Sequence, residues 1–187
     1  MTVQILRKKF TVSQYHQMIE TGILTDRDHV ELLDGEIIEM SPVGRRHAAC
    51  VDRLTELLIL QLTSRAIVRT QNPIRLSNNS EPQPDIAILR RREDFYATGH
   101  PQPEDIFLVI EVADTTIEFD RDIKIPTYAQ ENIPEAWLID LNAEVVNIFQ
   151  EPTAKGYLKH QCFKADQQLR IASFSDVQIN IAQFLRF

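Results

Sequence analysis

Asp85, Glu111 and Lys124 are the residues whose types and setting point to chemistry. Glu111 lies in Ile106-Phe107-Leu108-Val109-Ile110-Glu111-Val112-Ala113, a run that is apolar apart from the glutamate. Such a run reads as a strand buried on both faces. An ionised carboxylate there loses its hydration and requires a cation, a metal or hydrogen-bond donors in its place. Asp85 follows Pro84 at the head of a second apolar run, Ile86-Ala87-Ile88-Leu89. Lys124 falls in residues 120–130, a predicted helix. Alternation puts Val109, Glu111 and Ala113 on one side of their strand, and a regular helix puts Asp120, Lys124 and Tyr128 on one face.

Two carboxylates on neighbouring strands plus a lysine are what metal-dependent phosphodiester hydrolysis needs. Mg²⁺ prefers oxygen ligands, a few carboxylates with water and substrate phosphate filling the remaining positions. The ion lowers the pKa of a water and offsets charge developing at the phosphorus centre, and a lysine beside that water orients it and adds positive charge. An aspartate and a glutamate without a further His or Cys favour Mg²⁺ or Mn²⁺ over Zn²⁺. Each residue also has a plainer reading. Asp85 could accept turn hydrogen bonds, Glu111 could pair with an arginine, and Lys124 could be an ordinary surface residue. Their joint spacing and apolar setting raise the site reading to parity with these.

The elements that would position these residues follow from the flanking pattern. Thr11-Val12-Ser13-Gln14 has capping-box spacing and opens a helix to about residue 20, stopped by Gly22. Asp34-Gly35 between β-prone segments in residues 29–40 signals a hairpin. Glu31, among Val30, Leu32 and Leu33, is expected to alternate outward. Ser41-Pro42-Val43-Gly44 breaks the chain before a helix over residues 45–64, whose Ala48, Val51, Leu54, Leu58 and Leu62 form one apolar face. His47 lies in its first turn, where a histidine is more often structural or solvated than part of a site. Residues 66–71 read as a strand, bent at Pro73 and resumed through Leu76, and residues 90–104 as a charged connection. Pro126 is awkward in the helix that bears Lys124: the helix either starts late or bends there. Residues 135–141 and 144–149 read as a hairpin around Asn142-Ala143, followed by short strands at 157–163 and 169–172 and a final apolar element at 179–185. Tyr128 and Trp137 are assigned to packing. This mixed order predicts α+β rather than a doubly wound sheet.

The 187 residues suit a single domain, 1–187, with a core over 45–141, an N-terminal helix and hairpin over 11–40, and C-terminal strands over 144–187. Cys50 and Cys162 form no CxxC, so neither a zinc knuckle nor a disulfide framework is suggested. Cys50 reads as a small buried apolar residue. The stretch Met1-Thr2-Val3-Gln4-Ile5-Leu6-Arg7-Lys8-Lys9 lacks signal-peptide order, and no apolar run approaches the roughly 18 residues of a membrane span. A cytoplasmic setting is expected. The net charge of −7 argues against a broad phosphate-gripping surface. Arg45-Arg46 and Arg90-Arg91-Arg92 are the compact basic clusters of the central region, and solvated loop or helix-end charge is the simpler account of each.

Beyond Pro84-Asp85, the chain carries Glu31-Leu32-Leu33-Asp34-Gly35-Glu36, Ser41-Pro42-x-Gly44-x-x-His47 and Glu111-Val112-Ala113-Asp114-Thr115-Thr116. It continues with Asp120-Arg121-x-x-Lys124-x-x-x-Tyr128 and Ile133-Pro134-Glu135-x-Trp137-Leu138-Ile139-Asp140. From about Thr11 to the C-terminus this set resembles the Uma-type family of restriction endonucleases, within the PD-(D/E)xK or restriction-endonuclease-like nuclease superfamily. The resemblance implies a central mixed sheet flanked by helices, with Asp85 and Glu111 as metal ligands for Mg²⁺ or Mn²⁺. The superfamily's lysine would stand two residues after the glutamate, where this chain has Ala113. The family takes it from the following helix, so the role passes to Lys124. Ala136 stands where an aromatic often precedes the family's tryptophan. Glu31, His47 and Asp120 are second-tier candidates: the first two to complete a metal shell or orient a phosphate, Asp120 to hold Lys124 or cap its helix. The expected activity is cleavage of phosphodiester bonds in DNA, with a homodimer suited to cutting both strands. The competing reading is a nuclease-fold module that binds or regulates without useful catalysis, and cleavage of RNA or of branched or damaged DNA is a third.

Overall fold

A computed structural model describes residues 7–25 and 27–186, so the first six residues of the stretch read for a signal peptide lie outside it. Helix α1 (Val12–Glu20) opens on a capping box. Thr11 Oγ1 accepts the Gln14 N–H at 3.2 Å, and Gln14 Oε1 accepts the Thr11 N–H at 3.1 Å. Strands β1 (Val30–Leu33) and β2 (Glu36–Glu39) form the expected hairpin. Its turn residues Asp34 and Gly35 have φ of 46° and 73°, the left-handed pair that a tight hairpin requires. The hairpin is fastened to the segment before Asp85: Gly35 N–H donates to Asn79 O at 2.7 Å and Glu81 N–H to Leu32 O at 2.7 Å. Helix α2 (Arg45–Leu62) buries Cys50, Val51, Leu54, Leu58 and Leu62 along one stripe.

The centre is a six-stranded mixed sheet of β3 (Ala66–Thr70), β4 (Ile86–Arg90), β5 (Ile106–Ala113), β6 (Glu135–Asp140), β7 (Val145–Thr153) and β8 (Gly156–Lys164), in that spatial order. Only β5 and β6 pair in parallel; the other neighbours are antiparallel. A parallel pair needs a crossover. Here it is a short helix α3 (Ile117–Phe119), a π-helical turn (Asp120–Lys124) and α4 (Ile125–Gln130). The crossover lays Lys124 back over the sheet that holds Glu111. Residues 71–85 are irregular, with no resumed strand after Pro73.

Alternation along β5 divides the core. Leu108, Ile110 and Val112 pack with α2, with β9 (Gln168–Ile171) and β10 (Phe174–Asn180), and with α5 (Ala182–Leu185). Val109 and Ala113 pack on the other face with Ile125 and Tyr128 of α4 and with Leu138. The expected final apolar element is thus the end of β10 followed by α5. Trp137 packs in the core as expected, but it also donates its indole N–H to Glu135 Oε1 at 2.7 Å. The second oxygen of Glu135 accepts the Ala172 N–H at 2.7 Å, which ties β6 to the loop between β9 and β10. Burial raises the pKa of the Glu135 carboxyl. Among the described residues, no helix is long and apolar enough to cross a membrane.

Candidate active site

Glu111 lies on the β5 face that Val109 and Ala113 share, under the crossover helix. Its Oε1 accepts the Tyr128 hydroxyl proton and lies 3.1 Å from Lys124 Nζ. The same ammonium is 3.2 Å from Glu31 Oε2, which also accepts the Gln83 N–H at 2.9 Å. All three charged residues are buried, Glu31 and Glu111 at 3% exposure and Lys124 at 5%.

Lys124 is placed by an irregularity. The Ile125 N–H donates to Asp120 O, five residues back, which closes a π turn directly ahead of Pro126. Pro126 then sits in the first turn of α4, the part of a helix where a missing N–H is best tolerated. The helix is therefore not the regular one assumed from spacing. Asp120, Lys124 and Tyr128 nevertheless all turn inward, while Arg121, Asp122 and Ile123 stay in solvent. Asp120 Oδ2 accepts the Thr116 hydroxyl at 2.6 Å.

Asp85 arrives from the neighbouring strand. Ile86 pairs with Ile110 across β4 and β5, so the antiparallel register brings Asp85 level with Glu111. Asp85 Oδ2 accepts the Val112 N–H at 2.8 Å and lies 3.0 Å from His47 Nε2, on the first turn of α2. His47 Nδ1 is buried without a hydrogen-bond partner among the described residues. Burial lowers the pKa of His47, but the hydrogen bond and charge of Asp85 outweigh it and the net shift is upward.

The cluster is over-supplied with negative charge. Glu31, Glu111 and Asp120 act on the ammonium of Lys124, and Asp85 adds its charge beside Glu111. Burial pushes the Glu111 carboxyl up to about 8 despite Lys124, and Asp120, Asp85 and Glu31 add to the rise. Burial also raises Asp120, with Lys124 and Thr116 pulling the other way. Burial alone would lower the pKa of Lys124, but Glu111, Glu31 and Asp120 overcome it and hold the amine charged. A hard divalent cation fits this donor set, because its ligand atoms are carboxylate oxygens short of positive charge, and an ion would take the place of the proton that burial favours on Glu111. The bonds described above fall on Asp85 Oδ2 and Glu111 Oε1, so Asp85 Oδ1 and Glu111 Oε2 are the oxygens that can turn to an ion. Among the described residues no third histidine or acidic ligand closes tightly on this pair. A site with one or two carboxylates and water is the usual way Mg²⁺ is held.

All six residues singled out from sequence, Asp85, Glu111, Lys124, Glu31, His47 and Asp120, meet in this region through the contacts and charges just described. Two expectations need correction. Glu31 does not alternate outward, because β1 is covered on both sides: Leu32 packs on Val12 and Tyr15, and the opposite face meets Lys124. Tyr128 does more than pack, since its hydroxyl fixes Glu111; its position one turn after Lys124 was the available signal. Three arginines of the basic clusters are locally engaged. Arg46 reaches Leu141 O at 2.5 Å and Asp114 at 3.3 Å, Arg90 donates to Glu104 O at 2.7 Å, and Arg92 pairs with Asp94 at 2.8 Å.

The fold has a solved counterpart. A protein from Anabaena variabilis ATCC 29413, described as "a putative nuclease belonging to DUF820", superposes with a TM-score of 0.71 at 14% identity, covering 94% of this chain and 97% of that one. At that identity the likeness establishes architecture: a restriction-endonuclease-like fold with a central mixed sheet flanked by helices. The chain belongs to the Uma2 family, described as "Putative restriction endonuclease", whose sequence profile matches residues 12–182. No curated protein matches it.

Proposed function

We propose that the chain is a divalent-metal-dependent endonuclease that hydrolyses phosphodiester bonds in DNA. Asp85 and Glu111 hold Mg²⁺ or Mn²⁺, and Lys124 positions the attacking water. The observation that carries this reading is the buried excess of carboxylates around one charged lysine, at the end of paired strands in a nuclease family. The cation, when bound, would lower the pKa of a water and neutralise charge developing on phosphoryl oxygens.

The chain's own groups do the positioning. His47 and the Val112 N–H fix one oxygen of Asp85. Tyr128 fixes one oxygen of Glu111. Lys124 is held by Glu31 as well as by Glu111, so it would keep an anchor if Glu111 held an ion, and would offer N–H donors to water and phosphate. Asp120 keeps that amine protonated. A homodimer would present two such sites to opposite strands.

The test is cleavage of supercoiled and linear duplex DNA with Mg²⁺ or Mn²⁺, set against Asp85→Asn, Glu111→Gln and Lys124→Met. Nicking by the wild type that needs the ion and is lost in all three variants supports the reading. A wild type that neither cuts nucleic acid nor is stabilised by either ion sinks it. That outcome would favour a non-catalytic binding module, the reading to which the net charge of −7 lends weight. Single-stranded, branched and RNA substrates in the same assay decide the substrate class.

A further inference from the structure

A second polar cluster lies outside the carboxylate–lysine site and takes no part in the chemistry proposed for it. His16 on α1, Glu81 beside β1, and His100 in the loop before the short 3₁₀ turn (Pro103–Asp105) present ligand atoms that all lie within 4.8 Å of one another. His16 Nε2 is 2.6 Å from Glu81 Oε1, and the two imidazole rings approach edge to face with centroids 6.3 Å apart. Glu81 is only 4% exposed. Its Oε2 is buried without a hydrogen-bond partner among the described residues, and so is His100 Nδ1. A buried carboxylate oxygen and a buried ring nitrogen left unmatched within one cluster are costly. One electrophile shared between them would remove the cost.

We infer that His16, Glu81 and His100 form a Zn²⁺ site that staples α1 and the His100 loop to the segment bearing the hairpin. Two imidazoles and one carboxylate are a zinc donor set rather than a magnesium one. A tetrahedral ion with ligands about 2.0–2.1 Å away holds them roughly 3.3 Å from one another. To reach it from a spacing within 4.8 Å, the outlying ligand atom would draw in while His16 Nε2 and Glu81 Oε1 part from 2.6 Å. Three protein ligands leave a fourth position for water. A cleft of about 500 Å³, lined by Val12, Ser13, His16, Gln17, Glu20 and Arg75, opens beside His16 and gives solvent a route to it.

The backbone around the ligands is already fixed on separate supports. Glu81 is pinned by its N–H to Leu32 O, and the loop after His100 by the Arg75 N–H to Pro101 O at 2.8 Å. An ion here therefore joins segments distant in sequence. Glu81 pairs against β1, the strand of Glu31, so the ion would stiffen the mount of the carboxylate that anchors Lys124.

The test is Zn²⁺ uptake by the full chain in competition with a chromophoric chelator, together with visible absorption after Co²⁺ loading. The wild type is expected to hold an equivalent of Zn²⁺ that Glu111→Gln retains and the His16→Asn/His100→Asn double variant loses. The Co²⁺ form should show d–d bands of a low-coordinate nitrogen–oxygen site, absent from the double variant. Should the double variant not fold, His16→Asn alone serves, since that side chain is 40% exposed. It should weaken binding by more than roughly tenfold, the lower end of what losing even an outer-shell partner costs. A wild type that takes up no Zn²⁺, or a folded variant with undiminished uptake and an unchanged Co²⁺ spectrum, overturns the proposal. Loss of uptake in Glu111→Gln with retention in the histidine variants does so too, by assigning the zinc to the other cluster.

Discussion

Glu111 ties the metal-free protein's stability to pH. Its carboxyl titrates near 8 in the folded chain against an ordinary value of 4.5. Between those values the folded state binds a proton that the unfolded state lacks. The group's contribution to stability is therefore complete below 4.5 and is lost as pH rises through 8. Thermal melts of the metal-free wild type should fall across that window, and Glu111→Gln, which cannot ionise, should flatten the decline; parallel curves would refute the assignment. Ion binding must displace the same proton, so affinity for Mn²⁺ should rise toward pH 8 with proton release visible by calorimetry in two buffers. Removing the amine leaves Glu31 and Glu111 facing each other without compensation. Lys124→Met should cost about 3–5 kcal/mol at alkaline pH, as one-sided removal of a buried pair does, and less where Glu111 is protonated. Denaturant titration at two pH values checks both the size and the direction. Tyr128→Phe keeps the ring and loses only the donor, at about 1–2 kcal/mol, readable by the same titration. Asp85, Glu111 and Lys124 were legible in the sequence because each is a polar type in a conspicuous local setting. Glu31 was singled out too, but its inward orientation was not legible, because a four-residue strand gives alternation too short to show which side is covered, and its cover comes from segments distant in sequence.

The elements were read from period and punctuation, and where those were strong the reading held. The capping box at Thr11, the Asp34-Gly35 turn and the stripe of α2 all appear where their residues predict. The π turn was not readable. Pro126 announces a disturbance, but whether the chain starts late, bends or widens depends on what the buried face must reach, and here it must reach Glu111 and Glu31. The hairpin deserves a direct perturbation because it carries Glu31 to Lys124. A Cβ on Gly35 would stand 2.8 Å from Lys9 Cβ, and the backbone there is left-handed at φ 73°. Gly35→Ala should therefore destabilise by more than about 1 kcal/mol. Hydrogen exchange should show protection lost first in β1 and in the segment at Asn79 and Glu81, ahead of β4 and β5. Uniform loss across the sheet would mean that the hairpin is not a separate mount.

At the scale of the molecule, charge and topology pull on function in different ways. A chain of net charge −7, with Arg46, Arg90 and Arg92 engaged by its own carbonyls and carboxylates, has little cationic surface to spare for a duplex. DNA affinity should be weak in chelator, rise when Mn²⁺ or Ca²⁺ is supplied, and fall only shallowly with added salt, since few phosphate contacts release counterions; filter binding across a salt series measures this. The mixed α+β order was plain in the sequence, whereas the pairing order of the strands was not, because strand partners are set by crossover packing rather than by local pattern. The side chain of Trp137 adds an experimental convenience. It is the chain's single tryptophan, and its indole is bonded to a carboxylate whose other oxygen grips the β9–β10 loop. Its emission is therefore a native optical gauge of whether the carboxy-terminal ribbon is seated. Because the same ribbon packs on α2 and on the Leu108, Ile110 and Val112 face of β5, a shift in that fluorescence would report loosening of the layer that backs His47 and Glu111, read from one intrinsic probe.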